Sequence, residues 1–230
     1  MHKPIKAITN IFYPTSCLGC QNPLLAKEEW VCLKCFNDFP HTHFHKRLSN
    51  PVTESFTGRV PILRGTAFLH FQRGGVVQQL IHALKYKNKP GVGHFLGQCA
   101  GKDMARGSFF KSADALVPVP LHPAKEKKRG YNQALAIANG LSQATQIPVA
   151  PLLQRVTASP SQTSKSRYDR FLNVNTIFKL NPNLAQNWQG KHLVVIDDVL
   201  TTGATLEGCL LELKAIPKVK LSVFTVAYAA

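Results

Sequence analysis

The segment Leu193-Val-Val-Ile-Asp197-Asp198-Val199-Leu-Thr201-Thr202-Gly203-Ala204-Thr205 carries three signals in register. Residues 193–196 are an apolar run of the kind expected for a strand buried on both faces. The run delivers Asp197 and Asp198 at its carboxyl end, the edge at which open α/β sheets hold ligands. The chain then turns into a helix predicted over 205–214, where Leu206, Cys209, Leu210 and Leu213 recur at helical spacing and Pro217 lies just beyond. Backbone N–H groups at such a turn lack intrahelical partners, and the helix dipole adds partial positive charge. Phosphate binds readily there. Thr201, Thr202 and Thr205 add hydroxyl donors, and Gly203 lets the backbone approach closely. Two ionised carboxylates only accept hydrogen bonds, which suits a diol or a divalent cation. A ligand with hydroxyls at one end and phosphate at the other fits, and a ribose 5-phosphate is such a ligand.

Around this segment the chain alternates strands and helices. A strand is expected over 66–71, before Gly74-Gly75, and a helix follows with Val77, Leu80, Ile81 and Leu84 at i, i+3, i+4 and i+7. Asn88-Lys-Pro-Gly-Val-Gly93 breaks it, and a second helix is expected over 94–105. Further on come a strand at 115–121, a basic loop at 122–131 and a helix at 132–144. A long polar segment spans 157–173, and strands are expected at 175–180 and 221–228. Strand–helix–strand repetition predicts an α/β fold with a mostly parallel sheet flanked by helices. Ser49-Asn-Pro51 reads as a linker, so residues 1–50 are expected to form a small module and 51–230 the main domain.

The chain has 230 residues, of which 44% are apolar and 17% charged, a balance that excludes a disordered chain. No apolar stretch approaches the ~20 residues that cross a bilayer. The first 17 residues contain no apolar run of signal-peptide length. A soluble cytoplasmic protein without membrane insertion is expected. The 28 basic residues against 12 acidic ones leave a formal charge of +16, which attracts polyanions. Much of that charge is clustered. Lys125, Lys127, Lys128 and Arg129 lie between a strand end and a helix start, next to Tyr131 and Asn132, which could stack on or hydrogen-bond a ligand. Cations in that position suit a pyrophosphate. Lys165, Arg167, Tyr168 and Arg170 form a second cluster in a segment with the character of a lid, and Lys85-Tyr86-Lys87 a third.

Four of the six cysteines form Cys17-Leu-Gly-Cys20 and Cys32-Leu-Lys-Cys35. Two-residue spacing lets both thiolates of a pair reach one tetrahedral Zn2+, so a structural zinc module of zinc-ribbon type is expected, with a redox pair as the alternative. Four thiolates leave no open position for catalysis, so the metal is expected to fold the module. His41, His43 and His45 read as a mobile polar run, and Cys99 and Cys209 as core residues.

The run from Leu193 to Thr205 resembles the motif for phosphoribosyl pyrophosphate (PRPP) in type I phosphoribosyltransferases. That resemblance implies that Asp197 and Asp198 hold the ribose hydroxyls while Thr201, Thr202, Gly203, Ala204 and Thr205 cradle the 5-phosphate. The order of motifs along the chain is similar to the ComF (ComFC) family of bacterial natural transformation, related to GntX proteins. These motifs are the four-Cys module, Lys85-Tyr86, Val117-Pro-Val-Pro, Arg129-Gly-Tyr131-Asn132-Gln133, Gln162-Thr163, Arg170-x-x-Asn173 and the PRPP segment. The chain departs from the pattern where Gln162-Thr163 is followed by Ser164-Lys-Ser instead of an apolar residue.

Three functions follow from this resemblance. The first is a PRPP-binding protein that handles single-stranded DNA with the uptake machinery. The second is an active phosphoribosyltransferase of nucleotide metabolism, in which Asp197 and Asp198 grip the ribose while Mg2+ on pyrophosphate steadies the leaving charge and an unknown acceptor attacks. The third is a scaffold that has lost small-molecule binding, against which the intact Asp-Asp and Thr-Thr-Gly signals argue.

Overall fold

A computed structural model of the chain describes residues 15–105, 107–156 and 177–229. Among them are strands β1 (Arg64–His70), β2 (Ala115–Pro118), β3 (Leu153–Arg155), β4 (Phe178–Leu180), β5 (His192–Leu200) and β6 (Lys220–Tyr228). Four of these form one parallel sheet in the order β1-β6-β5-β2. β3 and β4 form a separate antiparallel ribbon.

Parallel neighbours need crossover connections, and helices supply them. The short α1 (Leu33–Asn37) and α2 (Pro51–Glu54) precede the sheet. α3 (Val76–Tyr86) and α4 (Pro90–Met104) lead from β1 to β2. α5 (Pro123–Arg129) and α6 (Gln133–Thr145) follow β2, and α7 (Pro182–Ala185) follows β4. α8 (Ala204–Leu213) joins β5 to β6.

Alternate residues of a strand point to opposite faces, and β5 feeds two packed layers in this way. Val194 and Ile196 join Leu80, Leu84, Leu96, Ile137 and Leu141 from α3, α4 and α6. Leu193 and Val195 join Leu206, Leu210 and Leu213 from α8, with Phe56. On the first face α4 and α6 lie backbone to backbone. A Cβ at Gly97 would collide with the Ile137 carbonyl, and one at Gly140 with the His94 carbonyl. Cys17, Leu18, Val31 and Phe39, from the cysteine-bearing segment, share this layer's core.

Both edges of the sheet are covered. Thr42 N–H donates to the Phe68 carbonyl at 3.1 Å and His70 N–H to the Pro40 carbonyl at 2.8 Å, so residues 40–42 line the free side of β1. On the other side, Leu116 N–H donates to Pro148 at 2.9 Å and Ala150 N–H to Leu116 at 2.8 Å, lining β2.

Several sequence expectations change. The apolar strand of residues 193–196 extends to nine residues because β6 pairs with it as far as Leu200↔Tyr228. The second helix begins at Pro90, not 94, since proline is well tolerated in a first turn. The basic loop contains a helix, α5, capped by His122 Nδ1, which accepts from Ala124 N–H at 3.2 Å, and ended by Gly130 at φ 78°. The histidine run is not a free polar segment. His45 is buried, His41 bridges to Leu69, and the His41 and His43 rings stack at 5.5 Å. The polar segment 157–173, with Gln162, Thr163, Lys165, Arg167, Tyr168, Arg170 and Asn173, lies outside the described residues.

Candidate functional site

β2 pairs with β5 only as far as Pro118↔Ile196, and Val119 N–H donates to the Ile196 carbonyl at 3.0 Å. Beyond that point, among the described residues, β5 runs on without a strand partner on this side, carrying Asp197, Asp198 and Val199 past its neighbour. Consecutive strand residues leave opposite faces, so the two carboxylates have different surroundings. Asp198 is buried and forms an ion pair with Lys85, whose Nζ lies 2.9 Å from Oδ1. Lys85 stands in the last turn of α3, directly after Leu84, a residue of the core.

Asp197 is partly buried and accepts from Asp198 N–H at 2.8 Å. Burial first, and the charge of Asp198 second, push its carboxyl up to about 7, against the pull of that N–H, Lys85 and Arg155. Thr225, its register partner on β6, has a buried hydroxyl without a hydrogen-bond partner among the described residues. The same holds for Nε of Arg155, whose guanidinium lies 5.4 Å from the centre of the Phe178 ring.

The turn after β5 has the predicted features. Gly203 takes φ 77° as the N-cap of α8, a left-handed conformation that glycine adopts without strain. Thr201, Thr202, Ala204 and Thr205 are exposed around it. The first N–H of α8, that of Ala204, lies 3.5 Å from Thr202 Oγ1, and the residues around it face solvent at the sheet edge. Arg59 supports the turn from the segment before β1. It pairs with Glu207 and donates to the Thr202 carbonyl at 2.9 Å and the Ser55 carbonyl at 3.0 Å. Neither Arg59 nor Arg155 was singled out by the sequence.

Lys85, the ion-pair partner of Asp198, also lines a cleft of about 560 Å³ with Tyr86, Lys125, Lys127, Lys128 and Arg129, among others. The structure thus gathers two of the three sequence clusters of cations at one place. Tyr86 is 67% exposed, with the Arg129 guanidinium 5.5 Å and the His82 ring 5.0 Å from its ring centre. Tyr131 also lines the cleft, but its hydroxyl donates to the Leu84 carbonyl. Asn132 caps α6: its Oδ1 accepts from Ala134 and Leu135 N–H at 2.9 and 3.3 Å, and its Nδ2 donates to the Val119 carbonyl at 2.9 Å. Arg167 and Arg170 lie outside the described residues.

The Sγ atoms of Cys17, Cys20, Cys32 and Cys35 lie within 4.8 Å of one another, and Cys20 and Cys32 are 3.6 Å apart. Tetrahedral zinc with Zn–S of about 2.3 Å sets the sulfurs roughly 3.8 Å apart, so this group could hold a metal ion. Burial works against a Cys17 thiolate, but the backbone N–H groups of Cys20, Cys32 and Gly19 outweigh it and lower the thiol to about 7. The group is packed onto the helices next to the cleft. A Cβ at Gly19 would lie 2.8 Å from Val76 Cγ2 in α3, and one at Gly91 in α4 would lie 2.6 Å from the Trp30 ring. Lys89 Nζ sits 5.7 Å from the same ring's centre. Among the described residues, no helix is long and apolar enough to cross a membrane.

The chain has homologues among bacterial competence and DNA-utilization proteins. It is 31% identical over 131 residues to Competence protein F of Haemophilus influenzae, covering 55% of this chain and 57% of that protein. It is 37% identical over 100 residues to Competence protein ComFC of Bacillus subtilis, covering 42% and 38%. It is 28% identical over 131 residues to DNA utilization protein YhgH of Escherichia coli, covering 55% and 56%. The matched stretch thus spans little more than half of these relatives' lengths, or less. No protein-family model matches the chain. Among solved structures, the allosteric regulatory enzyme of purine biosynthesis aligns with a TM-score of 0.42 at 17% identity, over 62% of this chain and 29% of that one. Glutamine PRPP amidotransferase from B. subtilis aligns with a TM-score of 0.42 at 20% identity, over 62% and 30%. The relatives agree with the ComF resemblance drawn from the motifs.

Proposed function

We propose that this chain is a cytoplasmic PRPP-binding protein of the ComF kind, acting in natural transformation through the handling of single-stranded DNA. The observation that carries this reading is the convergence at one sheet edge of Asp197 and Asp198, the Thr201–Thr205 turn and the cationic cleft beside Lys85. In this reading the two carboxylates accept hydrogen bonds from the ribose diol. Backbone N–H groups at the start of α8 and the threonine hydroxyls hold the 5-phosphate. Lys85, Lys127, Lys128 and Arg129 face the pyrophosphate, with Arg167 and Arg170 as further candidates; Mg2+ accompanies that group. Residues 1–50 serve as a structural zinc module on Cys17, Cys20, Cys32 and Cys35, and residues 51–230 as the PRPP domain. The exposed Tyr86 ring among cations suits a strand whose phosphates pair with charge and whose bases stack. The names of the relatives support the link to DNA uptake.

A second reading, phosphoribosyl transfer from PRPP to an acceptor, is favoured by one feature. A carboxyl raised to about 7 at Asp197 can take up a proton near neutral pH.

The test is thermal denaturation with PRPP and Mg2+. A ligand at 100 times its dissociation constant adds about 2.7 kcal/mol of stability, or roughly 5–10 °C for a chain of this size. The shift is expected in the wild type and lost in Asp197→Ala/Asp198→Ala. A wild type that does not shift refutes PRPP binding.

A further inference from the structure

The geometry points to Lys85 as a latch that couples the two ends of a pyrophosphorylated ribose, an inference that rests on the reading of this edge as a PRPP site. Lys85 Nζ and Asp198 Oδ1 are 2.9 Å apart, with side chains only 25% and 11% exposed. The same lysine lines the cleft shared by Lys127, Lys128 and Arg129. It therefore stands between the carboxylate that would receive the diol and the cations that would receive the pyrophosphate.

Each half of the ligand alone meets a cost. A diol that takes Asp198 Oδ1 displaces the ammonium from a mostly buried carboxylate and leaves it without that partner. A pyrophosphate that draws Lys85 into the cleft strips Asp198 of its counter-ion beside Asp197. The two acids already repel each other, and the rise at Asp197 has the Asp198 charge among its causes. A ligand that carries both groups avoids both costs, since hydroxyls replace the ammonium on Asp198 while the pyrophosphate replaces Asp198 on the ammonium. Occupancy of one half therefore favours occupancy of the other. Lys85 is in this sense a specificity-determining residue, selecting the intact compound over either fragment.

Calorimetry with ribose 5-phosphate, alone and with saturating pyrophosphate and Mg2+, reads the coupling. The expected result is a ribose 5-phosphate affinity at least about fivefold tighter when pyrophosphate is present, with the same factor in the reciprocal titration. In Lys85→Met that factor falls to near one, whatever the absolute affinities. Thermal denaturation checks that the variant is folded; if it is not, the wild-type titrations alone decide. Equal ribose 5-phosphate affinity with and without pyrophosphate overturns the latch, as does full coupling in a folded Lys85→Met. If the wild type binds PRPP without coupling its fragments, the latch alone is wrong. If it binds neither PRPP nor the fragments, the PRPP reading falls and the latch with it.

Discussion

Arg59 and Glu207 pair across the fold, and the same guanidinium donates to the Thr202 carbonyl, so a residue ahead of β1 holds the turn that follows β5. The pair is partly exposed, at 35% and 27%, and its own contribution to stability is about 1 kcal/mol or less. Its larger effect is on position. Arg59→Ala is expected to weaken PRPP binding about tenfold, the value of one lost charge-assisted hydrogen bond, while urea denaturation moves little. Glu207→Gln keeps the bond to Thr202 and is expected to cost much less affinity. Equal affinities in the two variants would show that the turn does not depend on Arg59.

Asp197 gives a pH signature. Its carboxyl titrates near 7 in the folded protein and near the ordinary value of 3.8 when unfolded. Between those values the folded state binds more protons than the unfolded state, so this group makes stability fall as pH rises from about 4 to about 7. Asp114 lies below its ordinary value, held there chiefly by the His192 N–H, and has the opposite sign at lower pH. Asp197→Asn is expected to flatten the stability profile between pH 5 and pH 7 and to be more stable than wild type at pH 8. Urea titrations of both proteins across that range check it. Parallel profiles would place the Asp197 titration elsewhere.

The four-Cys group is expected to hold one zinc per chain by elemental analysis. Chelation, or Cys32→Ser, should lower the melting temperature, because a metal held by the four thiolates would organise this segment. It should also weaken pyrophosphate binding. Gly19 packs on Val76 at the start of α3, and Lys85 stands at that helix's other end. Trp30 packs on the first turn of α4, so both helices beside the cleft lose support together. Unchanged pyrophosphate affinity in the metal-free protein would separate the module from the cleft.

The α5 cations are expected to pair with DNA phosphates. Replacing Lys127, Lys128 and Arg129 by Ala should weaken binding of a single-stranded oligonucleotide and reduce its salt slope by about 2, near 0.7 for each phosphate no longer neutralised. Tyr86→Ala should weaken binding without changing the slope, since stacking releases no counter-ions, at roughly 1–3 kcal/mol per stacked base. A slope that survives the triple substitution would put the phosphates on another surface.

The parts of this arrangement that were legible in the sequence are local ones. The apolar run ending in Asp197-Asp198, the glycine at the helix start and the paired cysteines each lie within a few residues, where spacing alone specifies geometry. The parallel α/β sheet followed from strands and helices alternating along the chain. The Lys85–Asp198 pair, Arg59 under the turn and Arg155 near Asp197 join distant segments, and no local pattern marks them. Helix α5 was missed for a different reason. His122-Pro123 and Gly130 were cap signals in plain view, but the helix buries none of its residues, so it has no apolar periodicity to reveal it. The histidine run misled because its polarity suggested solvent, whereas backbone pairing with β1 carries it into the fold.

The strips at residues 40–42 and 148–150 have a consequence for colloidal behaviour. Open strand borders are templates for sheet growth between molecules, and here each outer border is met by a segment containing proline, Pro40 or Pro148, which lacks one amide donor. Among the described residues, two copies meeting edge to edge therefore find part of each border already paired. At high concentration the folded protein is thereby less disposed to add a strand from a second copy at these borders.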